Sequence, residues 1–326
     1  MATDILGISN PTDEIDVRFM TYTQARKQVL QGKMDGHGLP NYAYSMDYEL
    51  RKKLDAIPNL YSIGKKIMGT YAARQTKILN MRALKVGPTQ FPDVYQMGCD
   101  CARILGIGIP NIFIVDDQSL NAYTYAFDDV EPIIVIHSGL YERLTPGELR
   151  CIIGHECGHI HNQHGVYSFL STLLMNTGTV SLALIPAVTS NLLNLLTLGA
   201  QLALKAWDRA GEVTCDRAGM ICAENLEDAY SGMAKFMYGA AFGERKIDYN
   251  AIRAQLDTQM NNITKFEEVL NTHPATARRI AAQMEFAECE ILYQWRPDMK
   301  QHGIPMRGKQ ETDANCRKYI DITKKG

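Results

Sequence analysis

Between Cys157 and Leu204 the sequence contains no Asp, Glu, Lys or Arg. So long a stretch without charge is difficult to keep in water, and it splits near Pro186 into two parts that approach membrane-spanning length. Both parts nevertheless contain many Ser, Thr, Asn and Gln residues, and no Lys or Arg anchors the turn between them. We therefore expect residues 166–206 to form an apolar helical hairpin buried against the domain or a partner protein, with membrane insertion or surface association as the alternative.

The rest of the chain predicts one large domain with a flanking segment at each end. Residues 1–45 are mixed in composition and predict an N-terminal arm, whereas residues 296–326 predict a polar C-terminal tail. The intervening residues 46–295 contain no internal repeat and no low-complexity linker. Their length is sufficient for a single buried core.

Helical periodicity is the dominant pattern within this domain. It begins at Met46, and Pro92–Leu105 predicts an amphipathic helix opened by a proline. Runs rich in Ile, Val, Tyr and Phe predict a small antiparallel or mixed sheet from three strands, Asn111–Val115, Ala122–Phe127 and Pro132–His137. Further helices are expected over residues 207–223 and, as the last one, from about Pro274 with Thr272 as its N-cap. The fold class is therefore α+β and mainly helical.

A strong helix start precedes the most informative motif of the chain. Thr145, Pro146 and Glu148 fit a capping box, with the threonine as N-cap and the proline at the first helical position. We expect this helix to continue to about His164. It contains His155-Glu156-Cys157-Gly158-His159, which is an HExxH sequence.

The spacing of this motif explains the chemistry that it supports. On a helix, His155 and His159 are rotated by only about 40° and separated by about 6 Å along the axis, so both imidazoles can bind one ion. Glu156 is about 100° around the helix from His155 and is placed to contact a water on that ion. Imidazole ligands with an open position are typical of catalytic zinc, beside which a carboxylate acts as general base.

A third protein ligand and a close packing partner are still required. Glu212 and Asp216 are four residues apart on a later predicted helix, so they share one face. Glu212 is the candidate ligand, and Asp216 is the candidate acceptor of the Nδ1–H of His155. Gly154 and Gly158 would each cost about 1 kcal/mol inside the HExxH helix, which predicts that another element packs closely there.

Composition excludes some functions. The formal net charge is -2 and no cluster of Lys and Arg is present, so nucleic acid is not an expected partner. The N-terminus lacks the basic stretch and apolar run of a signal peptide. The eight scattered cysteines are therefore expected to be reduced thiols in a cytoplasmic protein, with Cys157 as a small core residue.

These motifs together resemble a known family of peptidases. HExxH followed by Glu212-x-x-x-Asp216-Arg-Ala-Gly resembles the HtpX-like metallopeptidases, which are gluzincins related to the CAAX prenyl protease 1 type. The resemblance extends over about residues 46–285. Its further motifs, in family order, are Asn121-Ala122-Tyr123, Ile133 to Leu140, and Thr272-His273-Pro274 with Arg279 and Ile280.

The resemblance implies a zincin-like (gluzincin) catalytic domain that holds one Zn²⁺ per chain. His155, His159 and Glu212 would be the metal ligands. Glu156 would be the general base, and Asp216 would orient a ligand.

The family pattern also implies how a substrate would be held. His273 or Arg279 would approach the substrate oxyanion or the open metal position, where negative charge develops during the reaction. Asn121, Ala122 and Tyr123 would form an edge strand beside the metal, to which an extended peptide can add.

The implied activity is that of a metalloendopeptidase acting on unfolded or extended polypeptides. The alternative is a metal-containing chaperone-like or scaffold protein with latent or no peptidase activity. A latent state would arise if His273 occupied the fourth position on zinc.

Two departures from the family pattern bear on these expectations. The two middle residues of HExxH are Cys157 and Gly158, and a larger aliphatic residue is usual in the family at the first of these positions. The spanning helices that precede the motif in membrane-anchored members are absent, which favours a soluble branch. The remaining histidines of the motif helix, His161 and His164, are expected at its surface or its end, and His137 at the end of a strand.

Overall fold

The computed structural model describes residues 30, 32–35, 38–127, 130–175, 198–239, 247–259, 276–300, 303 and 306–321. Helices account for most of them, which confirms the predicted mainly helical α+β class. In chain order the helices are α1 Ser45–Asp55, α2 Leu60–Arg82, α3 Pro92–Leu105, α4 Ser138–Arg143, α5 Pro146–His161, α6 Gly165–Met175, α7 Leu198–Cys222, α8 Leu226–Tyr238, α9 Tyr249–Gln259, α10 Thr276–Ala287, α11 Glu290–Trp295 and α12 Lys309–Ile320, with a 3₁₀ turn at Pro297–Met299.

A four-stranded mixed sheet forms one side of the domain. Its strands are β1 Leu84–Lys85, β2 Asn111–Val115, β3 Ala122–Phe127 and β4 Val130–His137, in the spatial order β1-β2-β4-β3. β2 pairs parallel with β4, whereas β3 pairs antiparallel with β4. The three predicted strands are thus confirmed, the last one beginning at Val130 rather than Pro132. β3 lies at one edge of this sheet.

Helix α5 begins as its capping box predicts. The hydroxyl of Thr145 accepts a hydrogen bond from the backbone N–H of Glu148, whose carboxylate accepts one from the N–H of Thr145. The helix ends at His161, three residues before the predicted end, because Gln163 has a positive φ of 56°. That left-handed conformation is incompatible with a continuing α-helix. A second helix, α6, then starts at Gly165.

Helices α5 and α7 pack unusually closely. A Cβ added to Gly154 would lie 2.4 Å from the Cβ of Cys222, and one added to Gly158 would lie 2.8 Å from the Cβ of Ala218. The absence of side chains at both glycines therefore permits the approach of α7, as their position in the sequence predicted. The helix expected over residues 207–223 starts earlier than predicted, at Leu198.

Only the two ends of the charge-free segment lie within the described residues. α6 and the first half of α7 are buried against α1 and α2 through an apolar cluster that includes Leu60, Tyr167, Leu170, Leu204 and Trp207. The predicted turn near Pro186 lies outside the described residues. Among the helices of the described ranges, none combines the length and the apolar character needed to cross a membrane.

The C-terminal segment differs from the predicted polar tail. Within residues 296–326, helix α12 buries a stripe of residues against α10 and the segment before α1, namely Thr312, Asp313, Cys316, Tyr319 and Ile320. Several of these residues are polar, which concealed the helical pattern in the sequence. The buried charge of Asp313 is compensated by an ion pair, in which its Oδ1 lies 2.7 Å from Nη2 of the buried Arg217. The helix expected near Pro274 is described from Thr276 and is not the last, since α11 and α12 follow it.

Candidate metal centre

The two histidines of the HExxH motif project together from α5 toward α7. Their ring centroids are 5.1 Å apart, and His155 is buried. Glu212 on α7 faces both rings: its Oε2 lies 3.6 Å from Nε2 of His155, and its Oε1 lies 3.7 Å from Nε2 of His159. The carboxylate of Glu212 on α7 thus faces both imidazoles of α5, although residues 159 and 212 are 53 positions apart in the sequence.

This arrangement fits a zinc ion. Zinc–nitrogen and zinc–oxygen bonds of about 2.0–2.2 Å in tetrahedral geometry place neighbouring ligand atoms about 3.3 Å apart. The observed separations of 3.6 and 3.7 Å between Glu212 and the two imidazoles are close to that spacing. Two imidazoles and one carboxylate are also a donor set that zinc accepts while retaining an open position.

Asp216 holds His155 from the side opposite to Glu212. Its Oδ1 lies 3.0 Å from Nδ1 of His155, so the carboxylate accepts the Nδ1–H and leaves Nε2 directed toward Glu212. Burial alone would lower the pKa of His155, but the hydrogen bond to Asp216 and the charge of Glu212 outweigh it and raise the pKa.

Arg279 occupies a different position from the one expected for it. We expected either His273 or Arg279 to approach the substrate oxyanion or the open metal position. Its guanidinium is instead buried on the two acidic residues: Nη1 lies 2.8 Å from Oε2 of Glu212, and Nε lies 2.8 Å from Oδ2 of Asp216. The planar fork of an arginine matches carboxylates, and a buried cation requires such partners. The contacts of Arg279 fix the two carboxylates in place.

The carboxylate of Glu156 is held by the edge strand. The hydroxyl of Thr124 on β3 donates a hydrogen bond to Oε2 of Glu156 at 2.6 Å. Burial raises the pKa of Glu156 above its ordinary value. Thr124 lies within the edge strand expected over Asn121 to Tyr125, but no local pattern indicated its hydrogen bond to Glu156.

The residues expected to form an edge strand belong to β3 or immediately precede it. Within the described strands, β3 pairs with β4 on one side and has no strand on the other. Ala122 and Thr124 face α5, whereas Tyr123 and Tyr125 lie on the opposite face with their rings 5.3 Å apart. The carbonyl of Asn121 accepts the backbone N–H of His137 at 3.0 Å. His273 lies outside the described residues.

His164 follows the end of α5, as expected of a helix-end residue, but it is buried beside the site rather than exposed. It is 1% exposed, and its Nδ1 lies 3.3 Å from Nδ1 of His159. Its Nε2 lies 2.9 Å from Oδ2 of the buried Asp47. The turn after α5 folds His164 back under the preceding imidazole, a contact that a continuous helix would not allow. His161, in contrast, contacts the hydroxyl of Tyr42 at 3.0 Å through Nδ1.

Cys215 is a further donor atom near the site. Ligand atoms of His155, His159 and Cys215 all lie within 4.8 Å of one another. Burial and the charge of Glu212 raise the pKa of the Cys215 thiol well above its ordinary value, so that it is protonated at neutral pH. A protonated thiol is a poor zinc ligand compared with an ionised carboxylate. All eight cysteines are free and buried, Cys157 among them.

Burial also sets the charge state of the second motif histidine. It lowers the pKa of His159 well below the ordinary value, and the neighbouring His155 lowers it further. His159 is therefore neutral near pH 7, which is the form in which imidazole binds metals.

Comparison with known proteins gives a consistent result. The family model described as "Peptidase family M48" matches residues 88–286, which is more than half of the chain. The chain is 30% identical to "Plastoglobule-localized metallopeptidase 48, chloroplastic" of Arabidopsis thaliana over 200 residues, covering 61% of this chain and 56% of that protein. It is 26% identical to "Protease HtpX homolog" of Bifidobacterium longum over 242 residues, covering 67% of this chain and 78% of that protein.

Among solved structures, "Crystal Structure of S. mikatae Ste24p" matches with a TM-score of 0.36 and 17% sequence identity. The match covers 81% of this chain and 65% of that one.

Proposed function

The chain belongs to peptidase family M48, as its motifs predicted, and we propose that it is a zinc-dependent metalloendopeptidase. Its relatives carry the names metallopeptidase and protease. The alignment with the Arabidopsis protein spans 56% of that protein's length, so the activity is inferred chiefly from the site of this chain. The substrates proposed are unfolded or extended polypeptides.

The metal site proposed consists of His155, His159 and Glu212, with one ion per chain. Zinc would supply a Lewis acid there, which polarises a peptide carbonyl and lowers the pKa of a coordinated water. Asp216 positions His155 by accepting its Nδ1–H. Arg279 positions Glu212 and neutralises part of the negative charge that the two acidic residues bring into the interior.

Glu156 is the proposed general base. Its carboxylate would accept a proton from the attacking water and return it to the leaving amine, so that the amine departs uncharged. A raised pKa makes the carboxylate a stronger base, which favours its acceptance of the proton from the attacking water. Thr124 keeps one oxygen of Glu156 in place through its hydrogen bond, which leaves the other oxygen available to the attacking water.

The proposed substrate site is the edge of β3 that has no described strand beside it. An extended peptide can add to a strand edge through main-chain hydrogen bonds, whatever its side chains. This edge carries Asn121, Ala122 and Tyr123, and Thr124 on the same strand contacts Glu156. A peptide bound there would therefore run beside the general base. His273 remains a predicted contact for the oxyanion or the open metal position.

For its location we propose the cytoplasm, with contact to a membrane surface through residues 166–206. Leu198 and Leu202, four apart on α7 where this segment rejoins the described structure, are 72% and 37% exposed. Their joint replacement by Asp should reduce co-sedimentation with anionic phospholipid vesicles, whereas Met81→Asp on α2, 76% exposed in the wild type, should not. Wild-type protein that stays in the supernatant would contradict the contact.

The observation that carries the proposal is the convergence of Glu212 on both imidazoles at 3.6 and 3.7 Å. The test is hydrolysis of casein by the full chain, with and without a chelator. Cleavage should require one zinc ion per chain. Glu156→Gln should retain that zinc and lose turnover, and the exposed Glu142→Gln should behave like wild type.

Two results would contradict the proposed peptidase activity or its mechanism. Turnover retained by zinc-loaded Glu156→Gln would exclude this mechanism. Zinc-loaded wild type that binds casein without cleaving it would favour the chaperone-like alternative.

A further inference from the structure

A chain of three contacts extends from the second motif histidine to the segment that precedes the family-matching residues. Nδ1 of His159 lies 3.3 Å from Nδ1 of His164, and Nε2 of His164 lies 2.9 Å from Oδ2 of Asp47. His164 and Asp47 are 1% and 4% exposed, so water does not compete for these hydrogen bonds. Asp47 belongs to the first turn of α1, outside residues 88–286.

One assignment of donors and acceptors along this chain leaves Nε2 of His159 free to bind a metal. Sγ of Cys215, 3.5 Å from Nδ1 of His164, is a further neighbour of that nitrogen. A carboxylate accepts, so Nε2 of His164 carries the hydrogen that it donates to Asp47. In neutral His164, Nδ1 then has a free lone pair and accepts the Nδ1–H of His159. His159 is left with its lone pair on Nε2, which is the atom that lies 3.7 Å from Glu212.

The opposite assignment would block the site. If His164 carried a hydrogen on Nδ1, it would donate to Nδ1 of His159. His159 would then carry its own hydrogen on Nε2, and a protonated nitrogen cannot coordinate zinc. The acceptor at Nε2 of His164 therefore decides which nitrogen of His159 is available.

Asp47 is itself fixed as that acceptor. The hydroxyl of Thr214 donates to Oδ2 of Asp47 at 2.8 Å, and the backbone N–H of Tyr44 donates to the same hydroxyl at 3.1 Å. Because the threonine hydroxyl accepts from Tyr44, its hydrogen is directed at Asp47. Burial alone would raise the pKa of Asp47, but the contacts with His164 and Thr214 lower it below its ordinary value.

Both motif histidines have a neighbour at Nδ1 that can accept a hydrogen bond, but the two neighbours differ. Asp216 accepts directly from Nδ1 of His155. Among the described residues, no carboxylate contacts Nδ1 of His159. His164 lies there instead, and its Nδ1 can accept the hydrogen bond because its Nε2 donates to Asp47.

We propose that Asp47 and His164 are positioning residues that hold His159 in its metal-binding tautomer, so that α1, which precedes the family-matching residues, completes the metal site. This inference rests on the proposed function, because it assumes that His159 is a zinc ligand. Loss of partners of this kind weakens metal affinity by about 10- to 100-fold in other zinc sites.

The test is the zinc affinity of the full-length chain, measured with zinc alone by competition against a chelator. Asp47→Ala should weaken zinc binding by about 10- to 100-fold. Asp47→Asn, which keeps the size and one acceptor oxygen but loses the charge, should weaken it by about tenfold or less. Circular dichroism and denaturant unfolding of the zinc-free proteins would verify that each variant folds, and Asp47→Asn decides the question if Asp47→Ala does not.

A matched control comes from the same segment. The hydroxyl of Tyr42 contacts His161 and Asn162, each at 3.0 Å, but neither of the motif histidines. Tyr42→Phe should loosen the segment without changing zinc affinity. Equal loss in Tyr42→Phe and Asp47→Asn would show that the segment acts only through general stability and would overturn the proposal.

A double-mutant cycle tests the order of the contacts. In a His164→Gln background, Asp47→Asn should weaken zinc binding much less than in wild type, because the link to His159 is already broken. If the fold-losses in zinc affinity of the two single variants simply multiply in the double variant, Asp47 and His164 act independently, which would contradict the proposed chain of contacts. Folded Asp47 variants with wild-type zinc affinity would overturn it while leaving the proposed function intact, whereas wild type that binds no zinc would overturn both.

Discussion

Oε2 of Glu212 lies 3.6 Å from Nε2 of His155, although the two residues belong to helices separated by the charge-free segment. Their proximity depends on Gly154 and Gly158, where α7 approaches the backbone of α5. The glycines thus convert two distant sequence motifs into one cluster of donors. The same approach brings Asp216 to the other nitrogen of His155.

Removal of the Thr124 hydroxyl should slow the reaction without removing the metal. Thr124→Val keeps the shape of the side chain and loses the hydrogen bond to Glu156. Hydrogen bonds to charged groups contribute about 1.5–3 kcal/mol, so a loss of about tenfold or more in kcat is expected, with KM little changed. Thr124→Ser should retain most of the activity, and both variants should bind zinc as wild type does. A valine variant with wild-type kcat would exclude this positioning role.

A methyl group at Gly158 should separate the two site helices. The added Cβ would lie 2.8 Å from Cβ of Ala218 and 3.0 Å from Cα of Cys215, which leaves too little room. Overpacking costs about 1–3 kcal/mol and should exceed the gain of about 1 kcal/mol in helix propensity. We expect Gly158→Ala to lower both the free energy of unfolding and the zinc affinity. Gly108→Ala, with nothing within 4 Å, should change neither, and a fully stable Gly158→Ala protein would show that the contact is not tight.

Loss of Arg279 should destabilise the zinc-free protein strongly. Arg279→Leu leaves the buried carboxylates of Glu212 and Asp216 without their cation, and such uncompensated charges cost about 3–5 kcal/mol. Arg103, whose side chain is 43% exposed in its ion pair with Asp100, provides the comparison. Arg103→Gln should cost less than about 1 kcal/mol in the same denaturant experiment. Similar small losses in both variants would contradict the role assigned to Arg279.

The buried Asp313 on helix α12 should make the free energy of unfolding fall at acidic pH. Burial alone would raise the pKa of Asp313, but Arg217 and Lys309 lower it below its ordinary value of 3.8. The stabilisation is then complete at pH values well above 3.8 and is lost as the pH falls through the lower pKa of the folded state.

Asp313→Asn therefore should be less stable at pH 7, by about 3 kcal/mol, because Arg217 loses its partner. Its unfolding free energy should also decline less steeply than that of wild type below about pH 4. Glu311, 65% exposed, serves as the control, and Glu311→Gln should follow the wild-type curve. Parallel curves for Asp313→Asn and wild type would contradict the assignment.

The residues of the proposed metal site could be selected from the sequence because helix periodicity and ligand chemistry act locally. A four-residue spacing puts His155 and His159 on one face, and the same spacing relates Glu212 to Asp216. Zinc chemistry then requires a third donor, which restricts how the two helices can meet. The capped start of α5 and the three strands also follow from local patterns.

The remaining features depend on tertiary contacts that no local pattern reports. Asp47 looks like an ordinary acidic residue in the first turn of a helix, and its burial follows from contacts with His164 and Thr214. The position of His164 depends on the left-handed Gln163, which ends α5 early. α12 was not predicted because several of the residues that it buries are polar. Their partners lie on helices that are distant in the sequence, as Arg217 does for Asp313.

The most direct test is a crystal structure of the full-length protein with zinc, in which anomalous scattering identifies the metal. The expected result is one zinc ion bound by Nε2 of His155, Nε2 of His159 and a carboxylate oxygen of Glu212, with Asp216 on Nδ1 of His155. A zinc ion bound by Cys215 in place of Glu212, or a Glu212 carboxylate far from both imidazoles, would contradict it.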